Sequence, residues 1–367
     1  MSRPHWNNAI AHFDDNVATF VTEYFGQDQR KCLLIAAAGF NPRSRRIAML
    51  LAETLGSRLS AIFIREERGK PDVALVDAAD ANEAALRELI NCEVLRIDIF
   101  GDDDAPVAGS RIARALGTFE IPADITDVVL DMTALSIGIG FPAARLLLDQ
   151  CEARGNCAFH LMIASSPEIE DKIMSEPDSR PMAIRGFAGE DVSGSDLEVA
   201  KVWLPQLAKG KSAALSEIGK TYNEWYKICP VVPFPAGEPR RADALIDEYQ
   251  SHLVNSWDVD PRDIIYASER NPLDCYRTLA TFAKRYRQAV ANIFAPSIVV
   301  TPIGSKVVAA GALMAALEHD LTVQYIETVR YDFDPAEPTI DDDPEYLVHL
   351  LLSGPAYGDY GDDLEAK

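Results

Sequence analysis

Short apolar runs and amphipathic stretches alternate along most of this chain, the pattern of a parallel sheet covered by helices on both faces. Residues 9–25 space Ile10, Phe13, Val17, Phe20, Val21 and Tyr24 at helical intervals and predict an opening helix. Residues 32–38 form a fully apolar strand, followed by a helix over 43–55 with Ile47, Leu50, Leu51 and Leu55 on one face. Strands are expected at 59–64, 94–100, 127–131 and 158–164, alternating with helices near 81–90, 110–116 and 139–151.

Between Ser165 and Tyr226 the pattern breaks, with Pro167, Pro177 and Pro181 and a glycine-bearing run at 186–194. This stretch reads as an insertion with a connecting helix over 212–225. The alternation then resumes: strand 230–235, helix 240–257, strand 263–268, helix 272–290, strand 297–301, helix 305–318 and strand 322–328. The expectation is therefore α/β, with two Rossmann-like, doubly wound parallel-sheet lobes. The N-terminal lobe covers 1–165, the connector 166–226, the C-terminal lobe 227–331 and an acidic tail 332–367. Within the tail, 346–352 reads as a docking helix or strand.

Two turns of the first lobe echo in the second. LLIAAAGFNP (33–42) parallels DIIYASERNP (263–272), and VVLDMTALSIGIGFPAARLLL (128–148) aligns without gaps on IVVTPIGSKVVAAGALMAALE (298–318). An internal duplication would set two lobes facing one another, with a ligand cleft at their strand C-termini.

A chain of 367 residues, 48% hydrophobic, can fill two cores. It has no apolar run of membrane-spanning length and no apolar signal core at its start, and its six cysteines lack any CxxC pair. Those features fit free thiols and a cytoplasmic setting. The net charge of −22 includes eleven acidic residues against one basic residue after Tyr331. Wrapping of duplex nucleic acid by a broad basic face is thereby excluded, whereas a small anion in a local pocket is not.

Four strand-to-helix turns carry the candidate chemistry. In Gly39-Phe40-Asn41-Pro42-Arg43, Asn41 is an N-cap and Pro42 suits the first helical position. A cation there opposes the helix dipole by about 0.3–1 kcal/mol, a conflict that either an anionic ligand or nearby carboxylates resolve. In Thr301-Pro302-Ile303-Gly304-Ser305-Lys306, a glycine permits close backbone approach and Lys306 again starts a helix. Glu269 ends a strand beside the Asn271–Asp274 cap, and Asp131, with Thr133 in its turn, ends another. Either carboxylate suits a ribose hydroxyl, a base edge or a general base; Asp131 also suits bridging to a metal, and equally suits a turn. His160 reads as a satisfied core histidine and His319 as a helix cap. Asp341-Asp342-Asp343 reads as a solvated run, and no metal site, cofactor fingerprint or catalytic motif is recognisable.

The turn Thr301–Lys306, with the small-residue helix behind it, resembles the ligand-binding turns of the CARF and SAVED families. Those Rossmann-like sensors carry a Thr-Gly-Gly-Thr-Lys type segment after a late strand. Thr301, Gly304, Ser305 and Lys306 match in kind, and Pro302 departs from the pattern. The resemblance implies cyclic-oligonucleotide sensing in prokaryotic antiviral defence, with paired lobes as in SAVED and with a partner effector. The expected function is thus non-catalytic binding of a nucleotide-like anion at Gly39, Asn41, Arg43, Asp131, Thr133, Glu269, Thr301, Gly304, Ser305 and Lys306, with a protein partner or homo-oligomer. Two alternatives stand beside it: a hydrolase or N-glycosidase with Glu269 or Asp131 as general base, and a structural subunit of a defence or nucleic-acid-processing complex.

Overall fold

The computed structural model describes residues 6–69, 71–192, 194–221, 225–335 and 346–357. The chain divides into two compact units, one from Met1–Ile173 and Arg330–Lys367 and the other from Met174–Val329. The elements of the first unit begin with β1 (Ala11–Phe13), α1 (Asp15–Phe20), β2 (Cys32–Ala37), α2 (Arg46–Leu55), β3 (Leu59–Glu67) and α3 (Val73–Leu89). They continue with β4 (Asn91–Asp98), α4 (Ala108–Thr118), β5 (Asp127–Asp131), α5 (Ile137–Arg154), β6 (Ala158–Ser165) and α6 (Pro167–Lys172). The second unit contains β7 (Met174–Pro177), β8 (Met182–Ala188), β9 (Val199–Pro205), α7 (Ser212–Gly219), β10 (Lys227–Ile228), β11 (Val231–Pro233) and α8 (Arg241–Glu248). After these come β12 (Ile265–Ala267), α9 (Pro272–Val290), β13 (Ala295–Thr301), α10 (Lys306–His319) and β14 (Thr322–Tyr325). β15 (Thr328–Asp332) leads back to the first unit, where β16 (Tyr346–Ser353) is formed.

The first sheet has the order β1-β16-β6-β5-β2-β3-β4. Its five central strands are parallel and, numbered by appearance, stand 3-2-1-4-5, the Rossmann half-order. β16 adds antiparallel to β6, and β1 adds antiparallel to β16. β2, β5, β6 and β16 are buried along their whole length, as apolar strands covered on both faces must be.

The second unit repeats this order. β9 pairs parallel with β13, and β13 with β14, while β8 closes that edge antiparallel. On the other side, β10 and β11 are one strand broken at Cys229–Pro230. The Cys229 N–H donates to the Trp203 carbonyl and the Leu207 N–H to the Val231 carbonyl, which carries the pairing with β9 past the break. β12 then pairs parallel with β11. The order across the unit is β12-β11-β9-β13-β14-β8, again 3-2-1-4-5 with an antiparallel edge.

Several sequence readings change here. Residues 11–13 are a strand rather than helix, because the backbone at Asp14 takes φ 51° and breaks the run, and Ala11–Phe13 finds a ladder partner in β16. The stretch 166–226 is not a mere connector, since it supplies β9, the central strand of the second sheet. Residues 346–353 are a buried sheet strand, not part of an acidic tail, and Asp341–Asp343 lie outside the described residues. Of the two echoes, 128–148 and 298–318 occupy equivalent places, each being the fourth strand and its helix. The turn of β5 is one residue longer, which puts the gapless alignment out of step at the helix N-caps, Ser136 and Ser305. The other echo matches a first strand (β2) with a third (β12), so that similarity is one of turn chemistry only.

Packing sets where the helices point. Val307–Leu317 of α10 are all buried, and Gly311 lets α9 approach so closely that a Cβ there would lie 2.4 Å from the Pro272 carbonyl oxygen. Trp203 anchors the second core, stacked on Trp225 and edge-on to Trp257.

A polar line crosses the first core from strand to strand. His12 Nδ1 lies 3.0 Å from His349 Nδ1, His349 Nε2 lies 2.9 Å from His160 Nδ1, and His160 Nε2 lies 3.1 Å from Asp127 Oδ1. His160 is a satisfied core histidine, as its sequence context suggested. Burial, with the charges of His160 and His12, holds the His349 imidazole well below its ordinary range. The unfolded imidazole titrates near 6.5, so below about that pH the unfolded state binds more protons than the folded one. Stability from this group is present above that pH and lost as pH falls through and below it. Urea midpoints measured from about pH 7.5 to about pH 5.5 are expected to fall, and His349→Gln is expected to flatten that slope.

Candidate functional site

In a sheet wound 3-2-1-4-5, the connections leave the first strand in opposite directions, and a crevice opens at the C-terminal ends of the first and fourth strands. In the first unit that place lies between β2 and β5; in the second it lies between β9 and β13. Most of the residues singled out from sequence stand at one of these two places.

In the first unit, Gly39, Asn41 and Arg43 follow β2, and Asp131 and Thr133 end β5. Asn41 accepts from the Arg43 N–H at 3.0 Å, and Asn82 of α3 pins the loop by donating to the Gly39 carbonyl at 2.8 Å. Arg43 is only 2% exposed. Its guanidinium reaches Glu170 Oε1 at 3.0 Å and the Ala164 carbonyl at 3.4 Å. The cation at this helix start is thus neutralised by a carboxylate of α6, which corrects its reading as a ligand contact. Asp131 accepts from the Thr133 N–H at 2.8 Å, and Thr133 Oγ1 accepts from the Ala164 N–H at 2.8 Å. At the start of α5 the Ser136 N–H donates to Glu66 Oε1 at 2.7 Å, so an internal carboxylate already stands at this helix N-terminus. Ser136 Oγ and Ser44 Oγ are buried without a partner among the described residues.

The second unit is arranged differently. Thr301 Oγ1 accepts from Trp203 Nε1 at 2.8 Å, which ties β13 to β9. Ser305 is the N-cap of α10, accepting from the Val308 N–H at 3.3 Å. Lys306 is the first residue of that helix and is half-buried. Gly304 directly precedes Ser305 and lies beside a residue that the sequence reading missed. Gln206 follows β9 directly, is 1% exposed, and donates from Nε2 to the Val308 carbonyl at 3.2 Å. Its Oε1 has no partner among the described residues and would lie 3.5 Å from a Cβ built on Gly304. A flipped amide would set two oxygens against each other at Val308, so the hydrogen-bond network fixes this orientation. The signal was the run VAKVWLP, a strand hidden among prolines.

Glu269 also lies in the second unit but ends β12, not the central pair. Its Oε1 is 2.6 Å from Arg241 Nε, and its Oε2 accepts from the Gly237 N–H at 2.8 Å. It locks the loop that precedes α8. Asp131 belongs to the first unit, so the two carboxylates considered as general bases are in separate cores. Among the described residues no group of three or more His, Cys, Asp or Glu forms a metal site, and no helix is long and apolar enough to cross a membrane.

No family model matches the chain, and no curated protein matches it. Among solved structures it is similar to an NH3-dependent NAD synthetase from Campylobacter jejuni, with 17% identity, a TM-score of 0.22 and 40% of this chain covered. The chain spans about half of that synthetase, 52% of its length. A putative universal stress protein from Pseudomonas aeruginosa matches at 10% identity over 83% of this chain and 95% of the other, with a TM-score of 0.24. The cytoplasmic domain of a prokaryotic cation chloride cotransporter matches at 10% identity over 84% and 97%, with a TM-score of 0.22. Similarity at this level decides neither ligand nor activity.

The Arg43–Glu170 pair gives a direct expectation. Removing one partner of a buried ion pair costs about 3–5 kcal/mol. Arg43→Ala is expected to lower stability by about that range in chemical denaturation, with no dependence on added nucleotides; a loss below about 1 kcal/mol would show that the pair is not holding α6 to the β2 turn.

Proposed function

We propose that this chain is a non-catalytic binding protein for a nucleotide-like anion, with its site in the second unit at the C-terminal ends of β9 and β13. The buried, unpartnered Oε1 of Gln206 against Gly304 carries this reading. An acceptor left without a donor in the interior costs about 1–3 kcal/mol, and a ligand hydroxyl or amine would satisfy it. The N-terminus of α10 beside it favours negative charge, and the missing Cβ of Gly304 leaves room for an anion to approach the backbone. Together these select a ligand that joins an anionic group to a nearby N–H or O–H donor, as a nucleotide does.

The state of the carboxylates supports binding without turnover. Glu269 is held by Arg241 and the Gly237 N–H, and Asp131 caps the Thr133 turn, so each is engaged in holding its own loop. Sensing on behalf of a partner effector, in the manner of the CARF and SAVED proteins, is the finer form of this proposal.

The test is a thermal-shift panel of mono-, di- and cyclic nucleotides. A ligand at about a hundred times its Kd stabilises by about 2.7 kcal/mol. Gly304→Ala sets a methyl 3.5 Å from Gln206 Oε1, an ordinary contact for the fold. It should leave the apo melting temperature nearly unchanged and abolish the shift. Chromatography showing nucleotide turnover, or no shift with any member of the panel, would overturn the proposal.

A further inference from the structure

The line His12–His349–His160–Asp127 takes no part in the proposed nucleotide site and lies in the other unit. While the three rings are uncharged, its bonding fixes every ring tautomer. Asp127 is fully buried and accepts from the Thr126 hydroxyl at 2.6 Å and the Tyr24 hydroxyl at 2.9 Å, with Arg30 at 3.6 Å. Burial pushes its carboxyl up, but the hydrogen bond and charge of His160 outweigh this, helped by Thr126 and Arg30, and hold it below its usual range as a carboxylate. A carboxylate only accepts, so His160 Nε2 carries the hydrogen, and while the ring is neutral His160 Nδ1 is left as an acceptor. His349 must then donate from Nε2, which leaves its Nδ1 to accept from His12 Nδ1. The sequence of donors ends at His12 Nε2, a ring nitrogen with a lone pair and no hydrogen. Phe20 covers the line, stacked at 4.1 Å on His349 and 4.4 Å on His12.

His12 lines a recess of about 230 Å³. Ala11, Phe13 and Phe20 form its apolar part, and Asn16, Thr19 and Glu23 its polar part. Among the described residues no lysine or arginine lines it, which disfavours phosphate there.

We propose that this recess is a proton-transfer site, where His12 Nε2 exchanges one proton with a small uncharged or cationic molecule and the buried line holds the ring ready. The step balances with no change of electrons. A proton leaves the bound molecule for His12 Nε2, the His12 Nδ1 proton passes to His349 Nδ1, and the His349 Nε2 proton passes to His160 Nδ1. The His12–His349 and His349–His160 hydrogen bonds reverse direction, the bond from His160 Nε2 to Asp127 does not, and an imidazolium at His160 comes to lie beside the carboxylate. No heavy atom need move. Burial and the charge of His160 hold His12 below its ordinary value, and burial does the same for His349, so the line accepts one proton and not two. His12 is the catalytic residue; His349, His160 and Asp127 are positioning residues.

Long-range proton–nitrogen NMR of the full chain tests this without any substitution. At about pH 8, hydrogens are expected on His12 Nδ1, His349 Nε2 and His160 Nε2, and acidification should convert all three rings in a single step. A hydrogen on His12 Nε2 at that pH, or separate midpoints for the three rings, would overturn the proposal. Asp127→Asn should lower the common midpoint by about one pH unit or more, since it removes the countercharge. In a His349→Gln background the same change should leave the His12 midpoint unmoved, and a shift that persisted there would show that the line does not carry the coupling. Imidazole should perturb the His12 resonances and inorganic phosphate should not; the reverse result would sink the assignment of ligand class.

Discussion

Each unit depends on one constraint: its first strand must serve as the origin for connections running both ways. Crossovers carry the chain from the first strand to the second and third on one side, and from there across to the fourth and fifth on the other. β2 has this role in the first unit and β9 in the second. Their apolar residues are buried because a strand in this position has neighbours on both edges and helices on both faces. The registered pairing of β9 with β13, which runs from Val199 opposite Ala295 to Pro205 opposite Thr301, brings Gln206 to the α10 turn. Without that register the buried amide would not face Gly304.

The two crevices share a topology and differ in charge. In the first, internal carboxylates already occupy the attractive positions: Glu170 at Arg43 and Glu66 at the Ser136 N–H. Such a crevice is stabilised by its own side chains and has little left to offer an anion. In the second, the hydroxyl and the cap of the turn are used structurally, but the amide oxygen of Gln206 is not. If one ancestral unit gave rise to both, one copy has turned its crevice into scaffold.

The alternation of strand and helix was legible because buried parallel strands are short, apolar and well separated, as 127–131 and 272–290 illustrate, both of which form as read. The caps at Asn41 and Asn271 were legible for the same local reason. What escaped depends on partners distant in sequence. Tyr346–Ser353 looks like an apolar island in an acidic stretch until β6 is placed beside it, and Ala11–Phe13 becomes a strand only through β16. The Arg43 conflict with the helix dipole was read correctly as a conflict, but its resolution lies 127 residues away at Glu170. The histidine line could not be seen at all, since its members come from strands adjacent in space and separated by up to 337 residues in the chain.

The position of β16 also orders events during synthesis. Residues 174–329 make up the second unit without interruption, so everything it needs has been translated once Val329 emerges. The first sheet is still missing a strand at that moment. β6 has an open edge and β1 has no partner until Ser353 follows. The unit that begins the chain is therefore the last to close. During the seconds that translation takes, β6 presents an unpaired apolar edge, the kind of surface that joins other chains or is shielded by a chaperone.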